Sequence, residues 1–320
     1  MQPSCVVTGS AGFIGSRLSH RLLDAGWRVV GIDAFTDSYA PDEKLARAQC
    51  LSRRSGYRQV AGDLNEVRLG EALRSSEVVF HLAGRAGVRP SFRQESRYRH
   101  DNIEATERLL RACQTSSSVR RIVYASSSSV YGDAPLPFRE DMAAAPISPY
   151  GHTKLAAEAI CLSADSPSLG SLALRYFTVY GPGQRPDMGL RRFAEAVIDG
   201  RKIRLFGDGT QSRDFTFVDD VVDATIAAAD APRTGMAINV GGGSQVNLLE
   251  VLEMLGQLLD RPVRTEIEAF ARGDVRHTGA DLTRATEQLN FRPRISFSEG
   301  YAQEVEWLVW RAGREDQPCK

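Results

Sequence analysis

The chain has 320 residues, with 40 Lys+Arg against 40 Asp+Glu and a formal net charge of zero. So even a balance, with no long run of either sign, lacks the electrostatic footprint of a nucleic-acid or membrane-surface protein. Five scattered cysteines (Cys5, Cys50, Cys113, Cys161, Cys319) show no metal spacing, and no apolar run approaches the roughly 18 residues of a membrane span. With no signal peptide in view, the expectation is a cytoplasmic protein with reduced thiols and no metal.

Cys5-Val6-Val7 reads as a buried strand. Gly9, Gly12 and Gly15 follow, overlapping a helical pattern opened by Phe13-Ile14 and continued by Leu18, Leu22 and Leu23. Strand, glycine turn and helix N-terminus in that order form an anion site, because unpaired N–H groups and the positive helix end face one point. Gly9 allows the tight turn, Gly12 lets backbone approach a pyrophosphate, and Gly15 lets the helix pack close. Arg28 to Asp33 is a second strand ending in an acid that can accept from both ribose hydroxyls of an adenosine and repel a 2′-phosphate. Ala34 follows where an NADP site would often supply arginine, so NAD is the expected cofactor. A strand-end acid in solvent is the plainer alternative for Asp33.

Tyr57 to Val60, with Gly62-Asp63-Leu64, reads as a third strand, and Glu77 to Leu82 as a fourth. A helix spans about Phe92 to Cys113. Arg121 to Ala125 and Ser171 to Tyr176 are the fifth and sixth strands. This alternation predicts an α/β fold, a Rossmann-type doubly wound parallel sheet with ligands at the carboxyl ends of its strands. After Tyr176 the pattern changes: a loop over Gly181 to Pro186, a helix over Leu190 to Ile198, a strand from Ile203 turning at Gly207 to Gly209. Further strands follow at Phe215 to Val218 and Met236 to Val240, with helices over Val221 to Ala229 and Leu248 to Leu259. The division expected is an NAD-binding domain over 1–176, with returning segments at about 214–242. A smaller mixed α/β lobe takes 177–213 and 243–313, and a tail begins near Arg314.

Tyr150 and Lys154 lie i, i+4 on one helix face. A nearby ammonium and an oxidised nicotinamide stabilise a phenolate, making tyrosine a usable base. Alone this pair is as well read as a surface pair. The serine run Ser126 to Ser129, at the end of the fifth strand, can donate to the oxygen that Tyr150 deprotonates; a polar strand end is the alternative. His81 reads as a structural histidine. His81-Leu82-Ala83-Gly84 would pass backbone beneath the cofactor.

Taken in order, these motifs, with Asn102 to Thr106 and Arg175-Tyr176-Phe177, resemble the extended short-chain dehydrogenase/reductases of the NAD-dependent epimerase/dehydratase family that act on nucleotide sugars. The resemblance covers about residues 5 to 310. It implies NAD on the first lobe and a UDP-sugar on the second. It also implies Asp63 and Leu64 beside adenine, Asn102 near the cofactor, Arg213 at the diphosphate, and Leu205 and Phe206 beside the base. By the same resemblance, Ser127, Tyr150 and Lys154 are catalytic. Helices near Phe92 to Cys113 and Tyr150 to Ala164 would pair two copies into a homodimer through a four-helix bundle.

Within that family, Ser128 and Ser129 stand where 4,6-dehydratases carry Asp-Glu and where decarboxylases place a glutamate at the second position. The serine run, Ala86 to Ser91, and Phe177 to Pro182 with Arg185 to Met188 are most similar to UDP-glucuronate 4-epimerases. Galactose-type enzymes usually carry asparagine where Thr178 stands. Arg89 or Arg185 would supply charge to an acidic sugar, although either can serve protein acids or phosphate instead. Near Asp274, Ala271 takes the place of a common arginine, and Arg272 is displaced by one. The alternatives kept open are a neutral UDP-hexose 4-epimerase, a UDP-glucuronate decarboxylase and a noncatalytic NAD-binding protein.

Overall fold

The structure is a computed structural model that describes residues 2–270 and 272–313. Its strands are Ser4–Thr8 (β1), Arg28–Asp33 (β2), Tyr57–Ala61 (β3), Val78–His81 (β4), Arg121–Ser127 (β5) and Gly170–Tyr176 (β6). Thr178–Tyr180 (β7), Ile203–Phe206 (β8), Ser212–Phe217 (β9), Met236–Val240 (β10), Gln245–Asn247 (β11) and Thr265–Glu268 (β12) complete them. Seven of these strands form one sheet in the order β10-β6-β5-β4-β1-β2-β3, every neighbour parallel. The order reverses at β1, where β2 lies on one side and β4 on the other. In such sheets that switch point opens a crevice for ligand.

Strand alternation divides the core into two halves. Val7, Phe80, Val123 and Leu174 point to one face, where they meet Leu18 and Leu22 of the helix Phe13–Asp24 and Val221 of the helix Val218–Ala227. Val6, Val79 and Ile122 point to the other, against Leu109 and Ala157 of the helices Ala105–Gln114 and Pro149–Ser163. Both faces are therefore covered, which is why β1 and β4 are buried throughout.

The second lobe has its own core of aromatics, with Tyr180, Phe215 and Tyr301 packed around Phe297. Its two small sheets run β11-β9-β7 and β12-β8. Ser212–Phe217 pairs with β7 and β11, and the chain rejoins the large sheet through the helix Val218–Ala227 and β10.

One expected element is broken. A short turn, Val88–Ser91, precedes the helix predicted over Phe92 to Cys113, which is itself a short turn Glu95–Tyr98, then a π-helical stretch Arg99–Glu104, then Ala105–Gln114. Gln94, at φ −131° and ψ 35°, leaves helical geometry and interrupts it. Among the cysteines, Cys5, Cys113 and Cys161 are buried free thiols, whereas Cys50 is disulfide-bonded, against the expectation of five reduced thiols. Cys319, Ala271 and the tail from Arg314 lie outside the described residues.

Candidate active site

A cleft of about 460 Å³ opens over the carboxyl ends of the central strands. Gly9, at φ +70°, turns the chain out of β1 so tightly that a Cβ there would lie 2.9 Å from the Ala83 nitrogen. A Cβ at Gly15 would collide with the Gly9 carbonyl, and one at Gly12 would come within 3.0 Å of the same oxygen. Gly12 caps the helix Phe13–Asp24 without a side-chain hydrogen bond, so the first N–H groups of that helix are left for an anion. Asp33 stands beside this cradle: its carboxylate accepts from Ala11 N–H at 3.0 Å and Phe35 N–H at 2.8 Å. Phe13, Ile14, Asp63, Leu64, Leu82, Ala83 and Gly84 continue the lining. A bare-backbone cradle at a helix N-terminus, next to a carboxylate with lone pairs to spare, fits a dinucleotide such as NAD.

The reactive residues gather where β5 ends. Ser127 caps a short 3₁₀ turn, Ser128–Val130, and its Oγ accepts from Ser129 N–H at 3.1 Å. Ser148 caps the helix Pro149–Ser163 through Gly151 N–H, with Pro149 at its first turn, which brings Tyr150 into the cleft. Burial pushes the Tyr150 phenol up; a hydrogen bond with Ser127 and the charge of Arg185 pull it down. Lys154 is buried, and burial brings its ammonium down to about 8. It donates to the Ala125 carbonyl at 2.5 Å and lies 4.5 Å from the Tyr124 ring centre. Arg185, remote in sequence, thus adds a positive charge that favours the Tyr150 phenolate, which the i, i+4 spacing did not reveal.

The expected substrate residues divide. Ser128, Ser129, Thr178, Arg185, Arg213 and Asp274 all line the cleft. Arg185 is paired with Asp187 at 3.0 and 2.5 Å. Among the described residues Arg213 donates only to the backbone carbonyls of Ser212 and Arg276, at 2.9 and 3.1 Å, so its half-buried guanidinium has hydrogen-bonding capacity left for an anion. Arg89 lies 3.9 Å from the Phe206 ring centre and binds Asp274 at 2.6 Å. That contact sets it beside β8 rather than beside the serines. Leu205 is in the second-lobe core, and Arg272 is exposed, over the ring of Phe92 at 4.6 Å.

Asn102 sits behind the cleft wall. It accepts from Arg85 N–H at 2.6 Å and donates to Arg85 O and Thr153 Oγ1 at 3.0 and 2.9 Å, tying the loop after β4 to the Tyr150 helix. His81 is structural, as its sequence setting predicts. Thr106 Oγ1 donates to Asn102 O, so it must accept from His81 Nε2, leaving Nδ1 to accept from Thr8 Oγ1, which itself receives Ala83 N–H. Burial drives this imidazole down to about 3, which keeps it neutral.

Sequence reasoning missed the segment after β2. Thr36, Ser38, Tyr39 and Lys44 all line the cleft, and Lys44 Nζ donates to Thr36 O, Thr36 Oγ1 and Ser38 Oγ. Pro41 at the first turn of Pro41–Ser52, with Asp42 and Glu43 behind it, was the available signal for that helix.

A family model described as the NAD dependent epimerase/dehydratase family matches residues 5–241. A UDP-glucuronate 4-epimerase of Thermodesulfobacterium geofontis is 37% identical over 308 residues, 94% of this chain and 95% of that one. The solved UDP-glucuronic acid 4-epimerase from Bacillus cereus, in complex with UDP-glucuronic acid and NAD, superposes with a TM-score of 0.92 at 35% identity. That match covers 96% of this chain and 99% of that chain. MoeE5 in complex with UDP-glucuronic acid and NAD gives 0.87 at 41% identity, with the same coverage of 96% and 99%.

Proposed function

The chain belongs to the NAD dependent epimerase/dehydratase family, and on that premise we propose that it interconverts UDP-glucuronate and UDP-galacturonate by inverting C4. It is an NAD-dependent isomerase of nucleotide sugars. One observation carries the choice of substrate: Tyr150 and Arg185 line one cleft together with Ser127, Ser128, Ser129 and Thr178. An anionic C6 group meets hydroxyl donors and a guanidinium there, and neither serine position offers the carboxylate that elimination of water requires.

NAD, which the Gly9 to Gly15 cradle and Asp33 would hold, would supply the hydride acceptor and donor for C4. The chain's own residues manage the proton and the geometry. Tyr150 takes the O4 proton while Ser127 holds the phenol oxygen, and the positive charge of Arg185 stabilises the phenolate. Lys154, fixed on Ala125 O, keeps a second cation in the same buried region. After the 4-keto sugar has turned over in the pocket, Tyr150 gives the proton back to O4. That intermediate is a β-keto acid. Hydrogen bonds from Ser128 and Ser129 hold its carboxylate away from alignment with the ketone, suppressing loss of carbon dioxide. Arg213 takes the diphosphate, and Phe206, with Arg89 stacked on it, borders the base.

The reading assigns NAD to the large-sheet lobe and the UDP moiety to the second lobe. It includes a homodimer, supported by Ala156 and Ala159 of Pro149–Ser163, neither of them buried, with Leu155 and Ile160 only partly covered by this chain's own core; light scattering at micromolar concentration tests it. It also includes a cytoplasmic location. Three free thiols favour that and the disulfide-bonded Cys50 counts against it; cell fractionation decides. The reaction itself is tested by incubating the protein with UDP-glucuronate, UDP-glucose and UDP-GlcNAc and identifying products by NMR. Formation of UDP-galacturonate is expected. Epimerisation of only the neutral sugars, or pentose as the main product, would overturn the assignment.

A further inference from the structure

Arg185 stands on the turn Gly181–Asp187, and the support of that turn comes from outside it. Gly183 has φ +88°, a conformation that side chains rarely adopt, and the turn's own backbone bonds are few: Gln184 N–H to Gly181 O and Met188 N–H to Arg185 O. Two consecutive carbonyls just before Arg185 are instead held by guanidinium groups. Arg47 donates to Gly183 O at 2.8 Å, and Arg191 donates to Gln184 O at 2.6 Å. Both arginines are oriented by one carboxylate, Glu43, at 3.3 Å from Arg47 and at 2.7 and 3.1 Å from Arg191. Arg311 adds a third contact to Glu43 at 2.7 Å.

Burial makes this arrangement consequential. The side chains of Arg191 and Glu43 are 3% and 12% exposed, so a loss of charge there is poorly compensated by water. Arg191 has a second acid, Glu195 at 2.7 Å, but no carboxylate other than Glu43 contacts Arg47 among the described residues. Glu43 also precedes Lys44, whose ammonium gathers Thr36 and Ser38 at the cofactor end of the cleft. The helix Pro41–Ser52 therefore supports the segment after Asp33 and the turn carrying Arg185 together.

We propose that Glu43 is a positioning residue for substrate charge: through Arg47 and Arg191 it fixes the backbone on which Arg185 is presented to an acidic sugar. The inference rests on the reading that Arg185 meets the sugar carboxylate. Neutralising Glu43 leaves Arg47 with no carboxylate among the described residues and Arg191 with Glu195 alone, so the donors to the carbonyls of Gly183 and Gln184 are less well directed. The damage falls on recognition of the carboxylate and leaves the diphosphate contact at Arg213 and the cradle at Gly9 to Gly15 in place.

The test is calorimetric binding of UDP-glucuronate and UDP-glucose to the full-length NAD-loaded protein, as wild type, Glu43→Gln and Arg47→Met. Glu43→Gln is expected to weaken UDP-glucuronate about tenfold while UDP-glucose changes by less than about twofold. Arg47→Met, which removes the contacts of one partly exposed side chain to Gly183 O, Tyr39 Oη and Glu43 and leaves Arg191 in place, acts in the same direction by a smaller factor and keeps the test open should Glu43→Gln fold poorly. The double variant should be no weaker than Glu43→Gln alone, since both act through one turn. Equal weakening of both ligands, or no change in either, overturns the positioning role. A wild type that binds UDP-glucuronate no better than UDP-glucose overturns the reading of Arg185 itself, and is distinguished by appearing before any substitution is made.

Discussion

Glu304 sits in the helix Phe297–Ala312 with 0% exposure. One oxygen accepts from Gly181 N–H at 2.9 Å; the other has no hydrogen-bond partner among the described residues. Burial raises this carboxyl from 4.5 to about 8, with Gly181 and Arg191 only partly opposing it. A folded value above the unfolded one means that the group's contribution to stability is fully present below pH 4.5 and is lost as pH rises towards 8. Over that window the unfolded chain has released a proton that the folded chain keeps. The cost is about 1.4 kcal/mol per pH unit, on the order of 3 kcal/mol by pH 7. Glu304→Gln keeps a carbonyl oxygen for Gly181 N–H and cannot ionise. Between pH 5 and pH 8 the variant should therefore gain about 4 kcal/mol on wild type, read from urea unfolding followed by tryptophan fluorescence. Parallel pH profiles for the two proteins would refute the argument, since they would mean that Glu304 is ionised or hydrated in the folded chain.

Tyr150→Phe should abolish turnover while NAD stays bound, because it removes the proton acceptor and none of the cradle; retained activity would take the tyrosine out of the mechanism. Arg185→Met should raise the acidic limb of the kcat/KM profile to higher pH, since it removes the positive charge that lowers Tyr150, and should erase preference for UDP-glucuronate over UDP-glucose. An unshifted profile would contradict it. Ser129→Glu places a negative charge beside the sugar acid, a repulsion on the order of 4 kcal/mol at roughly 4 Å and an effective dielectric near 20. Weaker UDP-glucuronate binding or more decarboxylated pentose is expected, and unchanged affinity and product ratio would mean that Ser129 does not face C6.

Short-range chemistry was readable directly. The glycine spacing, the acid at the end of β2, the serine run and the Tyr150 to Lys154 spacing each encode a local geometry within a few residues. The alternation of apolar strands with amphipathic helices sufficed for a doubly wound sheet. The helix expected over Phe92 to Cys113 is interrupted where Gln94 leaves helical geometry and again where the π-helical stretch, from which Asn102 acts, shifts the register, and neither departure shows in the apolar pattern. Partners remote in sequence could be settled only by the tertiary fold. Arg89 and Arg185 are equal candidates on paper; one is drawn to Phe206 and Asp274, the other pairs with Asp187 and lines the cleft with Tyr150. Glu43 and Arg191 are 148 positions apart, and Glu304 reaches Gly181 across 123. Sequence periodicity reports which face of an element is buried. It does not say which charge on another element will be waiting there, because ion pairs between lobes form only after both have packed.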